Sequence, residues 1–329
     1  MARNGSGTYN LPAGNPVVTG TVISSTWANT TLTDIGTALT NSIAKDGQTT
    51  PTANLPMGGY KLTGLGAATA SGDAVRYEQV GTLVASEGML QGYLFGCTMS
   101  TAGSSATMSI SAGRATDSTG LQSMALTAIA KTTSAWAVGT ATGGLDTGSI
   151  ANSTWYHFYV IRRPDTGVVD VVFSTNATTP TLPTNYTQYR RIGSGRTNGS
   201  AQWVRFSQNG DRFTWYESVY DVGASSSGSG TVARTLTVPL GLAVDAFGSA
   251  VLINGADAQS VKFWGPALSP GTVSSANCNF TQLAGGVASG PFRTGTNTSS
   301  QINTAMAVSS NEVLRIFTEG WFDTRGRVA

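Results

Sequence analysis

The sequence predicts a mainly β chain that ends in an antiparallel β-sandwich and begins with a short helical region and a neck. Charged residues make up only 11% of its 329 residues, less than half of the roughly 25% typical of soluble proteins. Glycine fills 41 positions, and serine and threonine together fill about a quarter of the chain. Beyond residue 91, apolar and polar residues alternate over short segments separated by turn signals, which is typical of β-strands.

The charge balance argues against nucleic acid and membrane surfaces as partners. The chain carries 19 basic and 17 acidic residues, a net charge of +2, so no global field attracts either partner. No apolar run approaches the roughly 20 residues that span a membrane, and the N-terminus lacks the pattern of a signal peptide. We therefore expect that the chain does not insert into a membrane and that it folds in a cytosol. Cys97 and Cys278 are expected to be free thiols rather than a disulfide.

The first domain, residues 1–50, is predicted to be an extended arm followed by a helix. Residues 1–24 are rich in Gly, Pro and Thr, and the helix opens near Trp27 with Ser24 or Ser25 as its N-cap. The apolar residues then recur every three or four positions in a narrow stripe: Ala28, Leu32, Ile35, Leu39 and Ile43. Such a stripe requires a covering partner, which is either another part of the same fold or a parallel copy of the helix.

Residues 51–90 form a predicted neck. It combines a short extended piece at 60–65, a small-residue turn, and a helix capped by Asp73. The apolar residues expected to face inward on that helix are Val75, Val80, Leu83 and Val84.

The neck segment from Met57 to Val80 resembles the junction motif of bacteriophage tail fibre proteins. In that motif, Met-Gly-Gly-x-Lys-Leu/Ile-x-x-Leu precedes Asp-Ala-Val and a helix, as it does here from Met57 to Val75. The sequence departs from the motif at Val80-Gly81, where the family continues with Tyr-Val-Asp. The resemblance implies an N-terminal region that attaches to the virion, in chains that assemble as parallel homotrimers.

Residues 91–329 contain the alternating segments of the third domain. The predicted strands are 107–112, 124–131, 155–163, 168–175, 187–192, 202–208, 212–218, 231–238, 251–254, 301–308 and 313–321. Pro164–Gly167 and Asn209-Gly210 have the composition of hairpin turns. The Ser/Gly run near residues 224–230 is predicted to be a surface loop or a boundary within this domain.

This third domain also resembles phage and prophage tail proteins. The similarity lies in the segments that begin at Trp136, Trp155, Val168 and Tyr189, and in the closing Gly320-Trp-Phe-Asp-Thr-Arg-Gly-Arg327. The resemblance implies a distal, host-facing domain, for which it supplies no catalytic residues.

Chemistry-bearing residues are few. The single histidine, His157, shares a strand face with Trp155 and Tyr159, and it has no nucleophile elbow nearby. It is therefore interpreted as a packed strand residue.

One histidine and two distant cysteines exclude a tetrahedral zinc site. The Gly-rich segment 192–200 lacks the lysine of a nucleotide-binding loop and is predicted to connect two strands. We expect no metal and no cofactor.

A glycan hydrolase is the enzymatic alternative, because phage tail proteins often degrade polysaccharide. It requires two carboxyl groups about 5–9.5 Å apart. Asp211 and Glu217 are six strand residues apart, which separates their Cα atoms by roughly 20 Å. Asp165 and Asp170 flank a turn, but Asp165 already has a turn role. No catalytic residues are predicted, and cross-strand pairs remain open.

The candidates for receptor binding are aromatic residues and arginines. Aromatic faces stack on sugar rings, and guanidinium groups hold carboxylate or phosphate groups of acidic glycans. Within 202–208, Trp203, Arg205 and Ser207 form the face expected to be more exposed than Val204 and Phe206. The predicted receptor-binding residues are Trp203, Arg205, Arg196, Tyr216 and Trp264.

These features together predict a homotrimeric phage tail fibre or tail spike protein, located in the virion tail and assembled in the cytoplasm of the bacterial host. The predicted oligomerisation and attachment residues are Trp27, Leu32, Ile35, Leu39 and Ile43. The N-terminal region would contact the tail, baseplate or adaptor proteins, and the distal domain a host surface glycan or protein. The alternative is a structural fibre adaptor or decoration protein that carries another receptor binder. A polysaccharide depolymerase is less favoured.

Overall fold

The computed structural model describes residues 10–40, 42, 50–51, 54–55, 57–80, 92–225, 230–253, 258–307 and 313–327. The chain divides into two compact units, Met1–Ala74 and Val75–Ala329. The first unit contains one described helix, α1 (Ser25–Thr40). Ser24 Oγ accepts a hydrogen bond from the Trp27 amide at 3.2 Å, which confirms a serine N-cap at residue 24. Ile43 lies outside the described residues.

The N-terminal arm packs on one face of α1. Asn15 Nδ2 donates hydrogen bonds to the Pro12 carbonyl at 3.0 Å and to Thr31 Oγ1 at 3.2 Å. The buried residues of the helix are Thr31 and Ala38. Because these two lie seven residues apart, they lie on a single face of the helix, which the arm contacts at Thr31.

The predicted apolar stripe lies one position away from this buried face. Leu32 and Leu39 are 66% and 70% exposed, while Trp27 and Ile35 are half-buried. The described part of the chain therefore leaves the two leucines of the stripe largely uncovered.

Asp73 does not cap a helix as predicted. Its Oδ2 accepts hydrogen bonds from the amides of Thr69 and Ala70, at 2.8 and 2.9 Å. The carboxylate therefore closes the turn that precedes it, because an aspartate can bond to backbone amides on either side. The helical turn begins later, at residues 77–80, with Gln79 Oε1 accepting the Arg76 amide at 3.3 Å.

The neck valines also differ from the prediction. Val75 and Val80, expected to face inward, are about half-exposed. Leu83 and Val84 lie outside the described residues.

The second unit contains nineteen described strands, which form four sheets. The strands are β1 (Leu94–Gly96), β2 (Met99–Ser100), β3 (Thr107–Ile110), β4 (Gly113–Thr116), β5 (Ser123–Leu126), β6 (Ile129–Ala135), β7 (Thr142–Leu145), β8 (Trp155–Arg162), β9 (Val169–Ser174), β10 (Gln188–Arg196), β11 (Phe206–Asn209), β12 (Arg212–Ser225), β13 (Val232–Thr235), β14 (Asp245–Ile253), β15 (Gln259–Trp264), β16 (Phe280–Gln282), β17 (Val287–Gly295), β18 (Gln301–Met306) and β19 (Val313–Phe322).

The strand orders are β1-β4-β5, β10-β8-β9-β7-β6-β3-β2, β11-β12-β19-β14-β17 and β13-β18-β15-β16. The prediction of a mainly β chain with antiparallel sheets is confirmed. Purely antiparallel pairing is wrong for the seven-stranded sheet, where β7 runs parallel to both β6 and β9. The glycine-rich strand β7 carried too little apolar alternation to be predicted, so its parallel pairing was not expected.

Both predicted hairpins are present. Residues 164–167 connect β8 to β9, with the Arg163 amide donating to the Val168 carbonyl at 2.9 Å. Gly210 connects β11 to β12 with a φ of 59°, a left-handed conformation that glycine adopts without strain. Local turn chemistry was sufficient to predict these connections.

The main apolar core joins residues of the seven-stranded and five-stranded sheets. Phe213 and Trp321 stack with ring centroids 5.1 Å apart, and Trp155 of β8 meets Trp321 edge-on at 5.4 Å. A second, smaller cluster contains Tyr159 and Ile161. Strand β8 is therefore buried on both faces, in agreement with its nearly continuous apolar sequence.

Both cysteines are free, as predicted. Cys97 is buried and Cys278 is half-buried. Burial raises the pKa of the Cys97 thiol to about 11, so this thiol is protonated and unreactive at neutral pH.

Candidate functional site

A large irregularity in β12 shapes the candidate site. Thr214 pairs with Gly320 of β19, but the next pair is Val219 with Thr318. Four residues of β12, 215–218, therefore face the single residue Glu319, and we call these four residues the β12 bulge. Side-chain alternation is lost there, and Tyr216, Glu217 and Ser218 are all exposed. The bulge thus projects three consecutive side chains outward.

The bulge is anchored at its first residue, Trp215. The Trp215 indole donates to the Thr237 carbonyl at 3.0 Å, and its ring packs 5.1 Å from Trp321. The amide of Tyr216 donates to the Arg205 carbonyl at 3.2 Å. These contacts hold the β12 bulge beside the segment that leads into β11.

A second register shift, between Tyr220 and Val222, anchors the other side. Asp221 Oδ2 accepts the Thr237 amide at 2.6 Å and the Thr318 hydroxyl at 2.5 Å. Asp221 Oδ1 accepts the Thr237 hydroxyl at 2.6 Å. Buried Trp215 and half-buried Asp221 fix the strand at either end of this stretch. The exposed residues between them are therefore held in a defined position.

A cavity of about 610 Å³ lies along this bulge, and we call it the bulge groove. Its lining combines exposed tyrosine rings, one residue of each charge, small polar groups and small apolar residues: Ala102, Gly103, Ser104, Asn198, Val204, Arg205, Tyr216, Glu217, Ser218, Val219 and Tyr220. A volume of this size is in the range of small-molecule sites.

Two exposed tyrosines give the groove its aromatic surface. Tyr216 is 64% and Tyr220 54% exposed. The Arg205 guanidinium lies over the Tyr216 ring, with Cζ 3.9 Å from the centroid. The ring of Phe317 lies 5.1 Å from that of Tyr220. Both tyrosine rings are therefore supported from one side, which lowers the entropic cost of using them to bind a ligand.

Two of the five predicted receptor-binding residues, Arg205 and Tyr216, come together in this groove. Arg196 is half-buried at the end of β10, where its carbonyl accepts the Val204 amide at 2.9 Å, and it does not line the groove. Trp264 is buried in β15 and does not line the groove.

The predicted exposure of Trp203 is wrong. Trp203 is 0% exposed, its indole donates to the Ala106 carbonyl at 3.1 Å, and its ring lies 5.1 Å from Phe173. The segment around it is held by isolated bridges to Ser105 and Thr197 rather than by a continuous strand. This irregular backbone turns Trp203 into the core while Arg205 stays exposed.

Glu217, Tyr220 and Asn198 also line the groove but were not among the predicted receptor-binding residues. Tyr220 lies beyond the predicted end of its strand at Ser218. A signal existed in the run Trp215-Tyr-Glu-Ser218, where two aromatic residues precede two polar ones and period two fails. Such a failure inside a strand indicates a bulge.

The Gly-rich segment 192–200 is not the predicted loop over its first half. Residues up to Arg196 belong to β10. A Cβ atom on Gly193 would lie 2.7 Å from Met99 Sδ, so glycine permits close packing of β10 on the core. Beyond the strand, Asn198 Oδ1 accepts the amides of Ser200 and Gln202, at 2.8 and 3.0 Å, and shapes the turn beside the groove.

His157 is a packed strand residue, as predicted. It is buried, and its Nδ1 lies 2.9 Å from Ser194 Oγ. Burial, and secondarily the positive charge of Arg191, lower the His157 pKa to about 4. The imidazole is therefore neutral at neutral pH.

Acidification is expected to destabilise the fold through His157. The unfolded chain takes up this proton near pH 6.5 but the folded chain near pH 4, so stability is lost as pH falls through this window. The difference corresponds to about 3 kcal/mol. Urea unfolding at pH 7 and pH 4 measures it, with H157Q as the control that cannot titrate. Equal pH dependence of the two proteins would contradict the assignment.

The carboxylates considered for hydrolysis are mostly engaged by cations. Asp165 pairs with Arg163 at 2.7 Å, and Asp170 pairs with Lys131 at 2.7 Å. Asp211 pairs with Arg325 and Arg327. Glu217 lies in the groove and forms no ion pair with another described residue. Among the residues the structure describes, no group of three or more His, Cys, Asp and Glu residues is placed to hold a metal ion.

Comparisons with protein families, characterised proteins and solved structures gave no match to this chain. Within the described ranges, no helix has the length and apolar character needed to cross a membrane. The bulge groove and the exposed leucines of α1 are the features on which a function can be based.

Proposed function

We propose that this chain is a subunit of a bacteriophage tail fibre or tail spike. Its residues 1–50 attach to the tail, residues 51–90 form a neck, and residues 91–329, folded as a β-sandwich, adhere to the host cell surface. The two sequence resemblances support this assignment to the tail. The observation that carries the adhesive role is the bulge groove, which presents Tyr216, Tyr220 and Arg205 on an anchored backbone.

The groove has the composition of a recognition site. Tyrosine provides a large, rigid contact surface at low cost in conformational entropy, and its hydroxyl forms hydrogen bonds at the rim. Arg205 and Glu217 add a donor and an acceptor within the same cavity. A site with these groups can bind a surface molecule without any chemical step.

Trimer formation through the N-terminal region accounts for the exposed stripe of α1. Leu32 and Leu39 lie on one face and are largely uncovered within the described chain. Burying a leucine side chain contributes about 1.5–3 kcal/mol, so pairing this stripe with parallel copies favours assembly. Sedimentation of the full chain measures the state directly. A mass of three chains is expected, and a monomer would contradict the proposal.

If three copies adhere together, the strength of binding to cells would depend steeply on the affinity of each groove. A full-length Y216A/Y220A double variant is expected to label bacterial cells at least 100-fold more weakly than the unchanged protein. A roughly tenfold loss per site is compounded when several sites bind together. The measurement is binding of fluorescently labelled protein to a panel of bacterial strains with characterised surface polysaccharides.

The control for this experiment is Y93A, which truncates a partly exposed tyrosine outside the groove. It is expected to retain full labelling. If the groove variant and the control label cells equally, the groove is not the adhesive site. If the unchanged protein labels no strain, the structural adaptor becomes the better interpretation.

A further inference from the structure

We propose that the bulge groove binds an uncharged saccharide, and that it disfavours both acidic glycans and protein receptors. This inference rests on the proposed adhesive function and specifies its ligand. It differs from the expectation drawn from the sequence, in which the arginines among the candidate residues pointed to acidic glycans. The difference arises from where the structure places Arg205 and Glu217.

The charges that line the groove cancel. Arg205 and Glu217 are the charged residues in its lining, one of each sign. A carboxylate or phosphate on a ligand would be attracted by Arg205 but repelled by Glu217, while it lost part of its hydration. At a separation near 5 Å the repulsion amounts to about 1–3 kcal/mol for effective dielectric constants between water and a protein surface. An anionic ligand therefore gains little net stabilisation here.

Arg205 is also held in a fixed orientation. One face of its guanidinium covers the Tyr216 ring at 3.9 Å. A Cβ atom on Gly103 would lie 2.7 Å from Arg205 Cβ, so the backbone at Gly103 closes tightly over the base of the side chain. This stacking leaves the edge of the guanidinium as a row of fixed donors.

The remaining groups match a sugar ring. Tyr220 presents an exposed ring that is supported by Phe317, and the apolar face of a pyranose can stack on such a ring. Glu217 offers acceptors, and Ser104, Ser218 and Asn198 offer further polar atoms around it. Hydroxyl groups donate and accept at once, so they can use acceptors and donors that lie close together.

The size of the site favours a saccharide over a folded protein as the ligand. A protein receptor of ordinary size buries about 800 Å² per partner over a broad patch. The groove is instead an open site of about 610 Å³ lined by eleven described residues, which is smaller than such a patch and within the size range of small-ligand sites.

Labelling of cells that have lost one class of receptor tests the inference. A bacterial strain labelled by the full-length protein is treated with periodate, which oxidises sugar vicinal diols, or with proteinase K. We expect periodate to abolish labelling and proteinase K to leave it intact. Labelling that survives periodate but is lost after proteinase K would overturn the inference while leaving adhesion in place. If no strain is labelled before treatment, the proposed function itself fails.

Charge is tested on the same cells. An uncharged ligand predicts less than a twofold change in labelling between 50 and 500 mM NaCl, because ionic attraction contributes little. The E217Q variant should label several-fold more weakly, since a neutral acceptor forms weaker hydrogen bonds than a carboxylate. An acidic ligand predicts the opposite, namely a loss of tenfold or more with salt and stronger labelling by E217Q. Either of those results would overturn the inference.

Discussion

Replacing Lys131 with methionine is expected to lower the free energy of unfolding by about 3–5 kcal/mol, since removing one partner leaves a buried charge uncompensated. The Lys131 ammonium and the Asp170 carboxylate are 0% and 1% exposed and lie 2.7 Å apart. Lys131 Nζ also donates to the Ala137 and Gly139 carbonyls, at 2.7 and 2.9 Å. The K131M variant would break all of these bonds and leave the buried Asp170 side chain without its cationic partner.

Chemical denaturation at pH 7 measures this loss. The double variant K131M/D170L should recover part of the stability, because an apolar pair needs no counter-charge. R163Q serves as the control, since it breaks an ion pair whose partners are 32% and 52% exposed, and its midpoint should move much less. A K131M variant as stable as R163Q would show that the ion pair does not hold β6, β7 and β9 together.

Truncating Trp203 to alanine is expected to cost about 3–5 kcal/mol, the usual range for removing a large aromatic residue from a core. Its indole is completely buried, packs 5.2 Å from Phe158 and 5.1 Å from Phe173, and donates to the Ala106 carbonyl. The loss combines a cavity with an unsatisfied carbonyl.

The same denaturation experiment distinguishes a core Trp203 from an exposed one. W203F should lose less than W203A, because it retains most of the ring packing. Y216A should leave the midpoint nearly unchanged, since Tyr216 is mostly exposed. If W203A and Y216A were equally stable, Trp203 would lie on the surface as the alternation of 202–208 first indicated.

Much of the strand content could be predicted because it is encoded locally. The alternation at 155–163 and 168–175 and the Pro164–Gly167 turn identified β8, β9 and their hairpin to within a residue or so. Strands without a clear apolar alternation were missed, among them β7 and β17. These strands contain glycine and polar residues, so their own composition does not predict a strand. Hydrogen bonds to the neighbouring strands hold them in the sheet.

The candidate site was predictable only in part. Arg205 and Tyr216 were identified because aromatic residues and arginines are the usual groups of a recognition surface. Their neighbours Glu217 and Tyr220 depend on how far β12 slips against β19 between Thr214 and Val219. Contacts of Trp215 and Asp221 with residues distant in sequence lie on either side of that slip.

The sequence by itself determined that this chain is mainly β and poor in charge, and that an extended arm is followed by a serine-capped helix with an apolar stripe. These properties depend on composition, periodicity and short-range hydrogen bonds. Only the tertiary structure decided that Trp203 lies in the core and that Lys131 and Asp170 form a buried ion pair. It also decided that the β12 bulge places Tyr216 and Glu217 in one groove. Each of these depends on partners tens of residues away, because burial and register follow from which strands meet and not from the order of residues within one strand.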